Sequence, residues 1–141
     1  MAGEEKLAGY SKRSLVDKLG IKAGYKILIV NPPANYDEVL GPLPEKVRRL
    51  KQTNSPIDFI QFFTTQRSEL EKRFDDFKKA LALDGMLWIS WPKGSSKMKT
   101  DLNENVVREI ALKNGLVDIK VCAVDEVWSG LKLVYRLKDR K

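Results

Sequence analysis

The chain has 141 residues, long enough for one domain and short for two, with 43% hydrophobic and 32% charged side chains and a formal net charge of +7. It contains no histidine and one cysteine, Cys122. That excludes imidazole-based acid–base chemistry, an intramolecular disulfide and any zinc site of several thiolates, and no loop has the ligand spacing of a carboxylate-built calcium or magnesium site.

The first ten residues read as a flexible arm. Ser11 or Ser14 can cap a short helix in which Leu15, Val16 and Leu19 form an apolar stripe; Gly20 ends it. Lys26 to Asn31 reads as a strand. Its unbroken Ile27-Leu28-Ile29-Val30 run implies burial on both faces, the mark of a parallel strand covered by helices. Asn31-Pro32-Pro33 stops it, a short helix spans Tyr36 to Leu40, and Gly41-Pro42-Leu43-Pro44 turns the chain. Val47 to Gln52 reads as an edge strand, with its arginines and Lys51 blunting the edge.

Ile57 to Phe63 is the second clear strand. A helix follows from Thr64 or Thr65 to about Ala82, with Leu70, Phe74, Phe77 and Leu81 on one face. Glu69 with Arg73 and Asp75 with Lys79 are spaced to pair on the other. Asp84-Gly85 is expected to turn the chain into a third strand, Met86 to Trp91. After a loop of Gly, Ser and Lys, Asp101 is expected to cap the next helix with Glu104 completing a capping box. Leu102, Val106, Val107, Ile110 and Ala111 face its core, and Asn114-Gly115 ends it. Strands at about Val117 to Asp125 and Leu131 to Leu137 are joined too tightly for a helical crossover and so run antiparallel.

This alternation predicts an α/β fold of three layers, a mainly parallel sheet with helices on both faces, closing with an antiparallel hairpin. The expected strand order is 2-1-3-4-6-5. That order resembles the topology of the Rossmann-like class I methyltransferase fold, and it is expected over residues 11–138 as one domain with a basic tail at 139–141.

The positive charge is spread over the ends and one loop: residues 1–30 hold six basic and three acidic side chains, whereas residues 66–84 hold five of each. No helix is dense in Arg and Lys and no aromatic-basic strand motif is visible, so nucleic acid is the less favoured partner; an anionic small molecule or a protein remains. No apolar run reaches the roughly 18 residues of a membrane span, and Met1 to Lys6 lack a signal-peptide core. A cytoplasmic protein with no membrane partner is expected.

Leu19-Gly-Ile-Lys-Ala-Gly-Tyr-Lys-Ile-Leu-Ile29 resembles the entry into the first strand of class I methyltransferases. In that family an acidic, glycine-rich loop follows and lets the backbone approach the cofactor. Here Asn31-Pro32-Pro33-Ala34-Asn35-Tyr36 stands there, without glycine and short of amide donors. The resemblance therefore argues against S-adenosylmethionine held in the usual mode. Asn31-Pro32-Pro33 also resembles the catalytic loop of amino-group methyltransferases, but it follows the wrong strand and ends in Ala34, not an aromatic residue; a rigid strand exit is the simpler reading.

Lys93 to Lys99 is the best anion-site candidate, because it lies where a parallel strand ends and a helix begins. Gly94 permits a backbone nest, Ser95 and Ser96 supply hydroxyls, and Lys93, Lys97 and Lys99 supply charge; no Walker spacing is present. Trp128, between the last two strands, either lids the core or offers an aromatic surface. Asp125 and Glu126 are adjacent and form no dyad, and Cys122 reads as core.

Taken together, Lys18-Leu-Gly-Ile-Lys22, Leu40-Gly-Pro-Leu-Pro44, Leu87-Trp-Ile-Ser-Trp-Pro-Lys93 and Lys120-Val-Cys-Ala-Val-Asp-Glu-Val-Trp-Ser-Gly-Leu-Lys132 resemble an uncharacterised bacterial family, a domain of unknown function. That resemblance covers almost the whole chain and implies no catalytic residue and no cofactor. The expectation is a non-enzymatic binding or interaction domain on a methyltransferase-like scaffold, with a candidate surface of Asn31, Lys93, Ser95, Ser96, Lys97 and Trp128. The alternatives are an enzyme or sensor for a nucleotide-like or acidic small molecule, and a weak nucleic-acid binder. No cofactor and no metal is assigned.

Overall fold

A computed structural model describes residues 13–54 and 56–140; the expected flexible arm, a cap at Ser11 and the final lysine of the tail lie outside them. Helix α1 (Leu15–Leu19) is capped by Ser14, whose hydroxyl accepts from the Asp17 amide, and Gly20 closes it in the left-handed region at φ 89°. Strand β1 (Lys26–Val30), helix α2 (Tyr36–Leu40) and edge strand β2 (Arg48–Leu50) follow. Next come β3 (Ile57–Phe63), α3 (Arg67–Ala80), β4 (Leu81–Pro92), α4 (Glu104–Lys113) and the closing strands β5 (Leu116–Ala123) and β6 (Trp128–Tyr135).

The strands form a sheet in the order β2-β1-β3-β4-β6-β5. β1 runs parallel to β2 and β3, and β3 parallel to β4; β6 is antiparallel to both β4 and β5. The three-layer α/β architecture read from the aliphatic runs is the one observed. On one face Leu28, Ile60, Phe62, Leu87, Ile89, Leu131 and Leu133 pack under Leu70, Phe74 and Phe77 of α3 and Val107, Ile110 and Ala111 of α4. On the other, Ile27, Phe59, Phe63, Met86 and Trp88 pack under Val16 and Leu19 of α1 and Tyr36 and Leu40 of α2.

Five local expectations are corrected. α3 starts at Arg67, and Asp101, expected to cap its own helix, instead accepts the Arg67 amide at 2.7 Å; α4 is capped by Asn103, whose side chain accepts from Val106 N. Asp75 pairs with Lys79 at 3.0 Å, but Glu69 does not pair with Arg73: it accepts from the Thr64 hydroxyl. β6 begins three residues early, because Asp125 Oδ1 accepts the amides of Val127 and Trp128 and so completes the turn before Trp128, which pairs with Pro92. Asp84-Gly85 is not a turn between elements but part of β4, which begins directly after α3.

That last difference has a steric cause. The β3–β4 register jumps from Ile57↔Leu81 to Phe59↔Met86, so β4 bulges through Ala82–Gly85. A Cβ on Gly85 would lie 2.9 Å from Asp58 O and 3.0 Å from Ile57 O, both rigid backbone atoms. Gly85→Ala is therefore expected to destabilise the fold by ~1–3 kcal/mol, as overpacking does. Urea unfolding should show a lower midpoint with an unchanged slope. A midpoint equal to that of the parent chain would contradict this bulge.

Candidate functional site

The carboxyl ends of the parallel strands carry the site. β1 leaves the sheet through Asn31, which sits at φ 58°, and enters the Pro32-Pro33 corner. The Tyr36 amide is spent on Pro33 O at 3.0 Å, and the prolines have none to offer. β2 ends at Leu50, and the described residues of the connection from Lys51 to Pro56 form no helix. The α3 face of the sheet is thus left open beside β1 and β2.

A cavity of about 870 Å³ occupies this opening. Leu28, Val30 and Leu50 contribute apolar surface; Asn31, Gln52 and Thr53 contribute amides and a hydroxyl; Lys51 and Arg73 contribute charge, and Arg49 also lines it. No carboxylate lines it. Arg49 Nη1 donates to Asp37 Oδ1 at 2.8 Å, so its charge is largely answered. Arg73 reaches the cavity from α3, its guanidinium carbon 5.2 Å from the Phe62 ring centroid and 4.9 Å from that of Phe77. Among the described residues neither Lys51 nor Arg73 has an ion-pair partner within 4.0 Å.

Beneath the opposite face lies a buried polar line. The Tyr36 hydroxyl donates to Gln61 Oε1 at 2.5 Å, and Gln61 Nε2 donates to Ser90 Oγ at 3.1 Å. Burial pushes the Tyr36 pKa far up, so its hydroxyl stays a donor and is no base. Phe63 meets both the Tyr36 ring, at 4.8 Å and 69°, and the Trp128 ring, at 5.2 Å and 83°.

The residues singled out in the sequence are not gathered in one cavity. Asn31 lines the large cleft. Trp128, half-buried, lines a separate cavity of about 380 Å³ with Pro33, Asn35, Val39, Asp125, Glu126 and Val127. Lys93, Ser95, Ser96 and Lys97 line neither. Gly94–Ser96 form a short 3₁₀ turn, in which the Ser96 hydroxyl donates to Lys93 O at 2.7 Å and accepts from Met98 N. Lys93 N is bound to Val127 O at 2.7 Å. Asp125 is occupied by its two turn amides, and Cys122 is buried, its thiol against Ala123 O.

Lys51, Gln52, Thr53, Arg49 and Arg73 were missed as site residues. The cations of β2 look like edge blunting, and Arg73 fits an i,i+4 pair with Glu69. The usable signal was the strand order itself, which sets the carboxyl ends of β1 and β2 side by side, where open α/β sheets bind ligands.

No protein-family model matches the chain, and no curated protein is significantly similar to it. Solved structures do match. A SAM-dependent methyltransferase from Aquifex aeolicus is 19% identical with a TM-score of 0.57, the alignment covering 84% of this chain and 86% of that one. The N-methyltransferase NodS from Bradyrhizobium japonicum is 15% identical with a TM-score of 0.58, covering 84% and 90%. Magnesium protoporphyrin IX methyltransferase from Synechocystis, with bound SAH, is 11% identical with a TM-score of 0.54, covering 86% and 78%. The chain has the class I methyltransferase-like fold.

These matches overturn the expectation of a non-enzymatic scaffold and the leaning against an enzyme. That expectation took one glycine-poor loop and the lack of histidine as the measure of the whole molecule. The scaffold is instead shared, over most of its length, with methyltransferases, one of them SAM-dependent and another holding SAH. Among the described residues no helix is long and apolar enough to cross a membrane.

S-adenosylmethionine itself does not fit the residues of the cleft. The molecule is a net cation, with a sulfonium and an ammonium against one carboxylate. It would meet Lys51 and Arg73 with no lining carboxylate to answer its charge, beside a corner with two amides missing.

Proposed function

We propose that this protein is an enzyme acting on a nucleotide-like or acidic small molecule held in the cleft between the carboxyl ends of β1 and β2 and the flank of α3. The observation that carries this reading is the cavity of about 870 Å³ whose lining includes Lys51 and Arg73, cations unpaired among the described residues, and no carboxylate. Its size is that of a small-molecule site, and its mixture of apolar surface with a few convergent polar groups is the usual one. The likeness of the fold to SAM-dependent methyltransferases supports group-transfer chemistry on such a scaffold. With no histidine in the chain and no carboxylate in the cleft, the chemistry suited to it is positioning, with Lys51 and Arg73 stabilising negative charge that develops during transfer.

The test is a thermal-shift screen with adenine nucleotides, SAH, SAM and acyl-coenzyme compounds, followed by mass spectrometry of each stabilising compound after incubation. Stabilisation by an anionic member of the panel, and its conversion, are expected. Silence across the panel would remove this reading, and a ligand bound but never converted would make the protein a sensor.

A further inference from the structure

The cleft does more than admit an anion: its charge distribution ranks ligands that share one shape. We infer that it selects a phosphate-bearing nucleoside and discriminates against a sulfonium-bearing adenosyl compound. This deepens the proposed function and rests on it.

Three observations converge. Leu28, Val30 and Leu50 give an apolar surface on which a flat ring can lie, and Asn31, Gln52 and Thr53 give donors and acceptors for a sugar. Arg73 packs on Phe62 and Phe77, which fixes the guanidinium before any ligand arrives. A fixed guanidinium presents its N–H fork to phosphate at lower entropic cost than a free one. Finally, Asp37 answers Arg49 but nothing within ion-pair reach answers Lys51 or Arg73 among the described residues. An anion gains from both groups, whereas a sulfonium is repelled by both.

The experiment is isothermal titration of the full chain with ADP, SAH and SAM at low and moderate salt. SAH and SAM differ by the one methyl group that makes the sulfur a cation, so their ratio isolates charge from shape. The expected order is ADP, then SAH, then SAM, with ADP at least about tenfold tighter than SAM and weakened by salt. Lys51→Glu is expected to weaken ADP by about tenfold and to close the gap to SAM. Lys51 is exposed just beyond a three-residue edge strand, so this variant should fold. Arg73→Gln should act in the same direction, with circular dichroism to confirm that α3 is retained. SAM binding as tightly as ADP, or a Lys51→Glu variant with an unchanged ratio, would overturn the charge selection and leave the enzyme reading standing. Failure of all three ligands to bind would overturn both.

Discussion

Replacing Trp88 by alanine is expected to cost ~3–5 kcal/mol of stability, the largest effect of any single change considered for this fold. Trp88 lies on β4 with no exposure and belongs to the cluster beneath α1 and α2. Gly130 on β6 makes room for it: a Cβ there would stand 3.0 Å from the ring. Its Nε1 also donates to Leu19 O, the last residue of α1, at 2.9 Å. Truncation therefore opens a cavity and strips the partner from a carbonyl at a helix end, two penalties that reinforce each other. Trp88→Phe keeps much of the volume and loses the hydrogen bond, so it should cost less than half as much. Chemical denaturation of both variants checks this; a loss under 1 kcal/mol for Trp88→Ala would mean that the ring is not held as described.

Gln61→Leu is expected to cost ~2–4 kcal/mol, although leucine is the more apolar residue. Gln61 is fully buried on β3, accepting from the Tyr36 hydroxyl and donating to Ser90. Leucine would leave both hydroxyls buried, one without its acceptor and the other without its donor. Tyr36→Phe alone orphans the Gln61 carbonyl and should also destabilise. The double variant should be markedly less damaged than the sum of the two, because it removes both ends of one hydrogen bond. Strict additivity in that cycle would refute the connection. The effect should reach the cleft, since α2 has only five residues, lacks a side-chain cap bond and carries the Asp37 that answers Arg49.

The strand order was legible because burial writes itself into composition. Ile27 to Val30 is too continuously apolar for a wet face, Ile57 to Phe63 reads as a second strand, and the tight join before β6 forces an antiparallel closure. The cleft was illegible for the opposite reason. Lys51 and Arg73 are ordinary surface cations in sequence, and only the packing of α3 beside an uncovered β1–β2 face brings them to one cavity. Asp101 shows the same limit at smaller scale. The spacing to Glu104 satisfies a local capping rule, yet an amide 34 residues away takes the carboxylate. Gly85 looked like a turn signal when its real constraint is the close approach of two carbonyls from β3. The leaning against catalysis failed differently, by weighing one loop above the scaffold around it.

Asp101 does more than cap α3. With Thr100, whose hydroxyl donates to Thr65 O at 2.7 Å, it fastens the segment after β4 to the start of α3, and Leu102 N in turn rests on the Thr100 hydroxyl at 3.0 Å. Any shift of α3 that draws Arg73 toward an occupant must tug this tether. Deuterium uptake at the Leu102 amide is thus a remote strain gauge for the cleft, readable with no label placed inside it.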